Sequence, residues 1–207
     1  MARPLLRLVT NMQRRKRHTR ELHHWRRRFV RLLARMHGRA DPKTVHDLRV
    51  AARRMRAYAR MLGNVALDRD LRWLIHSTND LRDIDVANAK LAGRTRLSAA
   101  REQLVSRLHH DLKRRRLRRL VRELDDASSL SRGNAKKWIK RLRRRAARRT
   151  RRPRSTENAH ALRRTLREIE YCLDWIGEDS SAERAKQKKL SRKVDQAVVR
   201  RIVARLG

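Results

Sequence analysis

The chain has 207 residues, room for one domain with a sizeable core. Lys and Arg number 59 against 21 Asp and Glu, for a formal charge of +38, with 48 arginines and 11 lysines. A compact body with that charge repels itself, so a polyanionic partner or dense counterions must offset the field, and a partner-free scaffold is disfavoured. No stretch longer than seven residues lacks Asp, Glu, Lys and Arg, which argues against a membrane-spanning helix and a secretory apolar region. The one cysteine, Cys172, excludes an internal disulfide and a multi-cysteine zinc site, and it suits a reducing, cytoplasmic compartment. Six glycines are too few for a Gly-rich phosphate loop.

Full disorder is the rival for so charged a chain, and periodicity opposes it. Leu22, Trp25, Phe29, Leu32, Leu33 and Met36 form one helical stripe, ending near Gly38 and the Asp41-Pro42 break. Val45, Leu48, Ala52, Met55, Ala59 and Leu62 form a second, capped by Asp41 with Pro42 in its first turn and closed by Gly63. Leu71 to Leu91 predicts a third helix ending near Gly93, and Leu104 to Leu124 a long fourth. Residues 125 to 133 form the best linker candidate. Ala135 to Ala146 marks the next helix, broken before Pro153. Leu162 to Ile176 marks another, stopped by Gly177. A last one carries Leu190, Val194, Val198, Ile202 and Leu206. No segment alternates with a period of two, so the expected class is all-α.

Charge is uneven. Between Ala127 and Thr156 there are 13 Lys or Arg and no acid, and the first forty residues hold a single acid, Glu21.

Two of the helices resemble each other at an offset of 114 residues. His46, Leu48, Arg49, Arg53 and Met55 match His160, Leu162, Arg163, Arg167 and Ile169. Duplicated halves usually pack about a pseudo-two-fold axis, which predicts equivalent helices face to face. His46, Arg49, Arg53, Arg56 and Arg60 fall on one helix face, a cationic ladder about 21 Å long. Val45, Leu48, Ala52 and Met55 lie beside it, so the ladder borders the core. A basic stripe opposite a core is usually a solvated face. Two ladders that flank the core, each opened by a histidine, instead predict the walls of one cationic groove. Arginine presents a planar, permanently charged fork matched to phosphate oxygens, and a histidine beside phosphate has its pKa raised.

These residues resemble a known family, the conserved-histidine α-helical domain, or CHAD. The segment Val45 to Arg56 (VHDLRVAARRMR) is similar to the family's opening histidine motif, and Leu81 to Val86 (LRDIDV) resembles its Arg-Asp-x-Asp-Val signature. The segment from His160 matches more loosely, and Lys193 to Val198 (KVDQAV) is a worn echo of the aspartate motif. The resemblance spans about residues 15 to 207. It implies two helical bundles related by an internal pseudo-two-fold repeat, a first half of about 15–126 and a second of about 134–207, joined by a linker of about 127–133. It also implies a basic cleft or pore between them that binds inorganic polyphosphate without catalysis, which makes polyphosphate granules a candidate location. The implied ligands are His46, Arg49, Arg53, Arg54 and Arg56 in the first half, His160, Arg163 and Arg167 in the second, and Arg82. Glu168 and Glu170 stand where basic residues are favoured, which predicts an asymmetric site.

Asp83 and Asp85 invite a metal reading, but side chains two apart on a helix point about 200° apart and cannot easily share one ion. Asp83, and Asp195 in the other half, are instead expected to pair with ladder arginines. Cys172 reads as packing. No cofactor, metal or membrane partner is expected, and the oligomeric state is open. The main alternative is non-specific RNA or DNA binding of ribosomal or nucleoid type, which the charge alone would favour. Against it, Trp25, Trp73, Trp138 and Trp175 all fall on apolar stripes, leaving few aromatic platforms for bases. Phosphoryl-transfer chemistry at His46 lacks an evident base or metal cluster.

Overall fold

The computed structural model describes residues 20–36, 38, 40–91, 95–112, 115–125, 131–151 and 155–190, and no strand occurs among them. Nine helices do: α1 (20–36), α2 (Pro42–Leu62), α3 (Val65–Ser77), α4 (Asn79–Leu91), α5 (Thr95–Leu112), α6 (Arg115–Asp125), α7 (Arg132–Thr150), α8 (Thr156–Ile176) and α9 (181–190). The all-α expectation holds. None of these helices is long and apolar enough to cross a membrane.

The two resembling helices are built alike at both ends. Asp41 caps α2 by accepting from the Thr44 N–H at 2.9 Å, and Ser155 caps α8 by accepting from the Asn158 N–H at 3.1 Å. Each such bond satisfies one of the four donors a helix leaves open at its start. At the other end Gly63 (φ 74°) and Gly177 (φ 68°) take the left-handed conformation that a side chain disfavours. The following amides then reach back, Asn64 to Ala59 O and Glu178 to Leu173 O. Every cap residue recurs at the 114-residue offset, and both helices run 21 residues.

α2 is the hub. It packs on α3, α4, α7 and α8, while α7 packs on α8, α3 on α6 and α4 on α5. Buried apolar residues, among them Phe29, Leu48, Met55, Tyr58, Leu71, Leu120, Leu142 and Leu173, form one continuous core. The two resembling helices pack on each other, and at that contact the Tyr58 and Trp175 rings meet at 4.6 Å and the Trp175 indole donates to Arg54 O. Asp70 is fully buried and accepts from Arg116 and Arg119, tying α3 to α6. Cys172 is buried in the core, which pushes its thiol well above the usual range.

Some boundaries differ from expectation. The predicted third helix is two, broken at Thr78, whose backbone (φ −103°, ψ 7°) leaves the helical region. Its signal was the polar run Ser77, Thr78, Asn79 and Asp80, residues that compete for backbone bonds. The predicted long fourth helix is also two, α5 and α6. Arg132 and Gly133, placed at the end of the linker, already belong to α7, whereas 126–130 lie outside the described residues. So do Lys193 to Val198, including Asp195, and the last helix beyond Leu190.

Candidate functional site

Between α2, the α3–α4 junction and α8 lies a cavity of about 400 Å³. Eight arginines line it: Arg49, Arg53, Arg56 and Arg60 from α2, Arg82 from α4, and Arg163, Arg164 and Arg167 from α8. Three carboxylates (Asp80, Asp83 and Glu168) share the lining, so the wall keeps a formal excess of five positive charges.

The ladder arginines are held in different ways. Arg49 is 7% exposed and uses its guanidinium as a brace at the break between α3 and α4. It donates to Ile75 O at 2.7 Å, Thr78 Oγ1 at 2.6 Å and Asn79 Oδ1 at 2.9 Å. All three acceptors are neutral, so these bonds fix its charge without cancelling it, and Asp83 is the carboxylate that acts on it from nearby. Burial, Arg53 and Arg82 push the pKa of Arg49 down to about 9, which leaves it cationic at neutral pH. Arg53 lies beside the Tyr171 side chain, and burial with Arg82 and Arg163 nearby lowers its pKa too. Its Nε is buried without a hydrogen-bond partner. Arg56 and Arg60 both donate to Asp68 of α3, at 2.7 and 2.8 Å.

Across the cavity, α8 supplies the second wall. Arg167 donates to Gln187 of α9 at 3.2 Å, and burial and Arg53 lower its pKa. Glu168 accepts from Arg60 at 2.8 Å and from the Trp138 indole at 3.2 Å. Burial opposes charge on Arg60, but Glu168 and Asp68 together raise its pKa. The wall is therefore asymmetric as expected, with Glu168 as the neutralising residue. Glu170 points elsewhere, bonding Gln187 and Arg184.

Of the ten residues singled out from the sequence, the cavity gathers eight: Arg49, Arg53, Arg56, Arg60, Arg82, His160, Arg163 and Arg167. Arg54 is not among the lining residues. One position on from Arg53 is 100° around the helix, which aims Arg54 at the seam with α1. There its guanidinium lies 4.6 Å from the Trp25 ring and 4.6 Å from the Tyr171 ring, and pairs with Asp174 at 2.9 Å. His46 is also off the lining and exposed, one turn before Arg49. Burial and Arg53 still lower its pKa, with Arg167 and Arg49 adding to the effect. The aspartate expectation is corrected as well: Asp83 pairs with Arg82 at 2.7 Å, and the carboxylates that hold ladder arginines are Asp68 and Glu168. Asp85 faces α5, where it accepts from Arg101 at 2.7 Å.

The sequence reading missed His76, Asn79, Asp80, Arg164 and Tyr171. Tyr171 continues the spacing His160, Arg163, Arg167, and Arg164 adjoins it, so both were within reach. His76 and Asn79 sit at a helix break that the apolar pattern bridged.

An all-helical body around an internal arginine-lined cavity is what fold and site define. The CHAD domain family model matches residues 13–197, and the chain belongs to that family. The crystal structure of the CHAD domain from the plant Ricinus communis is similar in fold, with a TM-score of 0.68 at 20% identity. That match covers 89% of this chain and 76% of the plant chain. No functionally curated protein matches the sequence.

Proposed function

We propose that this protein binds inorganic polyphosphate, without transforming it, in the cavity between α2, α4 and α8. The observation that carries the reading is eight arginines against three carboxylates on one wall, with Arg49 held by neutral oxygens that leave its charge uncancelled. Membership of a family linked to polyphosphate binding in general supports it. Asp83 and Glu168 each hold an arginine, a positioning role rather than one facing a reacting group.

The cavity has the volume of a small-molecule site, which suits an unbranched run of phosphates. A nucleotide chain carries a base at every phosphate and needs a ring to stack on. The rings on this wall are Tyr171, over which Arg54 already lies, and the small imidazoles of His76 and His160. The test is competition between long-chain polyphosphate and poly(U) of equal total charge at matched salt. Polyphosphate should displace poly(U), and its affinity should fall by about a thousandfold between about 50 and 200 mM salt if six or more phosphates are contacted. Equal competition by poly(U), or a flat salt response, would sink the cavity reading.

A further inference from the structure

A second, smaller cavity of about 250 Å³ adjoins the arginine cavity, on the side where α5 packs on α4. His76 and Asp80, one on each side of the α3–α4 break, line both cavities. The two spaces therefore meet at a shared wall. The smaller one has a different character. Leu81, Leu104 and Leu108 give it an apolar side, on which Leu104 is the half-buried member, and Ser77 and Arg107 stand around it. Burial together with Arg72, Arg56 and Arg49 holds His76 below the usual 6.5, so at neutral pH the shared wall carries an uncharged ring.

Asp80 has no evident task in the arginine cavity. The other two carboxylates there each hold an arginine, Asp83 with Arg82 and Glu168 with Arg60. The Asp80 side chain is exposed, and among the described residues it makes no ion pair or hydrogen bond. Facing a phosphate, it only repels. A carboxylate has acceptors alone, so it stabilises a ligand by taking hydrogen bonds from hydroxyl or amino groups. A cationic amine is opposed at this place by Arg107 and by the eight arginines next door. Neutral hydroxyls are not. A ligand that fits both cavities thus joins a run of phosphates to a neutral body with adjacent donors, and ends in a flat or apolar group. A nucleoside triphosphate has that order. Its ribose offers two neighbouring hydroxyls of the kind that one carboxylate accepts in dinucleotide sites. A polynucleotide carries a base at every phosphate, whereas this ligand carries one, beyond the end of its phosphates, and the arginine cavity holds none.

We propose that the smaller cavity is a nucleoside site, so that a nucleoside triphosphate binds with its phosphates among the arginines, its ribose hydroxyls on Asp80 and its base against Leu104. The two cavities taken together fall well within the size of small-molecule sites, roughly 300 to 1,000 Å³. This inference rests on the reading of the arginine cavity as a phosphate site and adds a second class of ligand to it.

The experiment is calorimetric titration of the full chain, free of divalent cations, with tripolyphosphate, ATP and 2′,3′-dideoxy-ATP. Tripolyphosphate is no less charged than ATP, so tighter binding of ATP reports the nucleoside. ATP should bind about tenfold tighter than tripolyphosphate, and the dideoxy analogue about fivefold weaker than ATP. Asp80→Ala, at an exposed position, should separate the ligands by sign. Tripolyphosphate should gain about twofold, because a repelling charge is gone, while ATP loses about threefold. ATP binding no tighter than tripolyphosphate, equal binding of ATP and its dideoxy analogue, or an Asp80→Ala effect of the same sign on ATP and tripolyphosphate would overturn the nucleoside site. Arg56→Gln/Arg163→Gln should weaken all three ligands. Unchanged tripolyphosphate affinity in that variant would overturn the phosphate reading of the arginine cavity itself, whatever Asp80 does.

Discussion

α2 and α7 are both rich in arginine, and they treat it in opposite ways. On α2, Arg49 is clamped by three oxygens, Arg56 and Arg60 lean on Asp68, and Arg54 lies between Trp25 and Tyr171. On α7, Lys137, Arg141, Arg144, Arg145 and Arg148 stand in solvent. The difference comes from what surrounds each helix. α2 is enclosed by α3, α4, α7 and α8, so a long side chain leaving it meets acceptors within reach. α7 buries one stripe against α2 and α8 and turns the remainder outward. Fixed charges can select a shape, because their geometry is prepaid; mobile charges contribute field and little else.

That contrast can be broken most easily in the cavity. Arg56→Gln with Arg163→Gln should weaken tripolyphosphate binding about 100-fold, at roughly 1.5 to 3 kcal/mol for each charge-assisted contact. Arg144→Gln with Arg148→Gln removes the same charge from α7 and should cost threefold or less for that short ligand. Calorimetric titration measures both, and equal losses would reduce the protein to a diffuse polycation. Arg49 is a poor choice for this comparison, because its loss also unties the α3–α4 junction.

The next effect is a gain. Glu168→Gln removes a carboxylate from the wall and frees Arg60 from it, so polyphosphate affinity should rise about tenfold for about 1.4 kcal/mol. No change in affinity would place the bound chain away from the Arg60 end of the cavity.

A smaller effect belongs to His46. In the free protein burial and Arg53 hold its pKa below the usual 6.5. A bound polyanion raises that pKa, so binding takes up a proton. Affinity should therefore be highest below the free value and fall about threefold as pH rises through the bound one. Titrations across pH 5 to 8 measure the loss, and His46→Gln should flatten it. A loss of the same size in His46→Gln would assign the proton elsewhere.

The smallest effect on affinity should come from Arg54→Ala, since Arg54 braces the α1–α2–α8 seam. Binding should change by less than twofold, while urea unfolding shows a loss of about 2 kcal/mol from the stacked and paired guanidinium. A tenfold loss of affinity with unchanged stability would return Arg54 to the site.

Much of this was legible in the chain. The Asp41 cap of α2, the glycines that close α2 and α8, the ladder from Arg49 to Arg60 and its partner wall follow from spacing, because they depend on residues within a turn or two of each other. What was not legible depends on distant partners. Nothing near Arg54 in sequence says that Trp25 waits on another helix. Asp68 and Asp83 are equally plausible partners for a ladder until the α2–α3 packing chooses Asp68. The break at Thr78 lacks the Gly or Pro that usually marks one, and it is stabilised by Arg49, 29 residues away.

The crowding of Arg49, Arg53, Arg56 and Arg167, each with a lowered pKa in which burial and a neighbouring arginine both act, has a consequence for melting behaviour. An empty cavity holds like charges together against their repulsion, and added salt screens that repulsion. The unliganded protein should therefore melt at a higher temperature as sodium chloride is raised. Once a polyanion sits among those arginines, the same salt competes for them and strips away the stability that binding confers. The melting temperature should then fall with salt. One protein would show two opposite salt dependences, and the sign alone would report whether the cavity is filled.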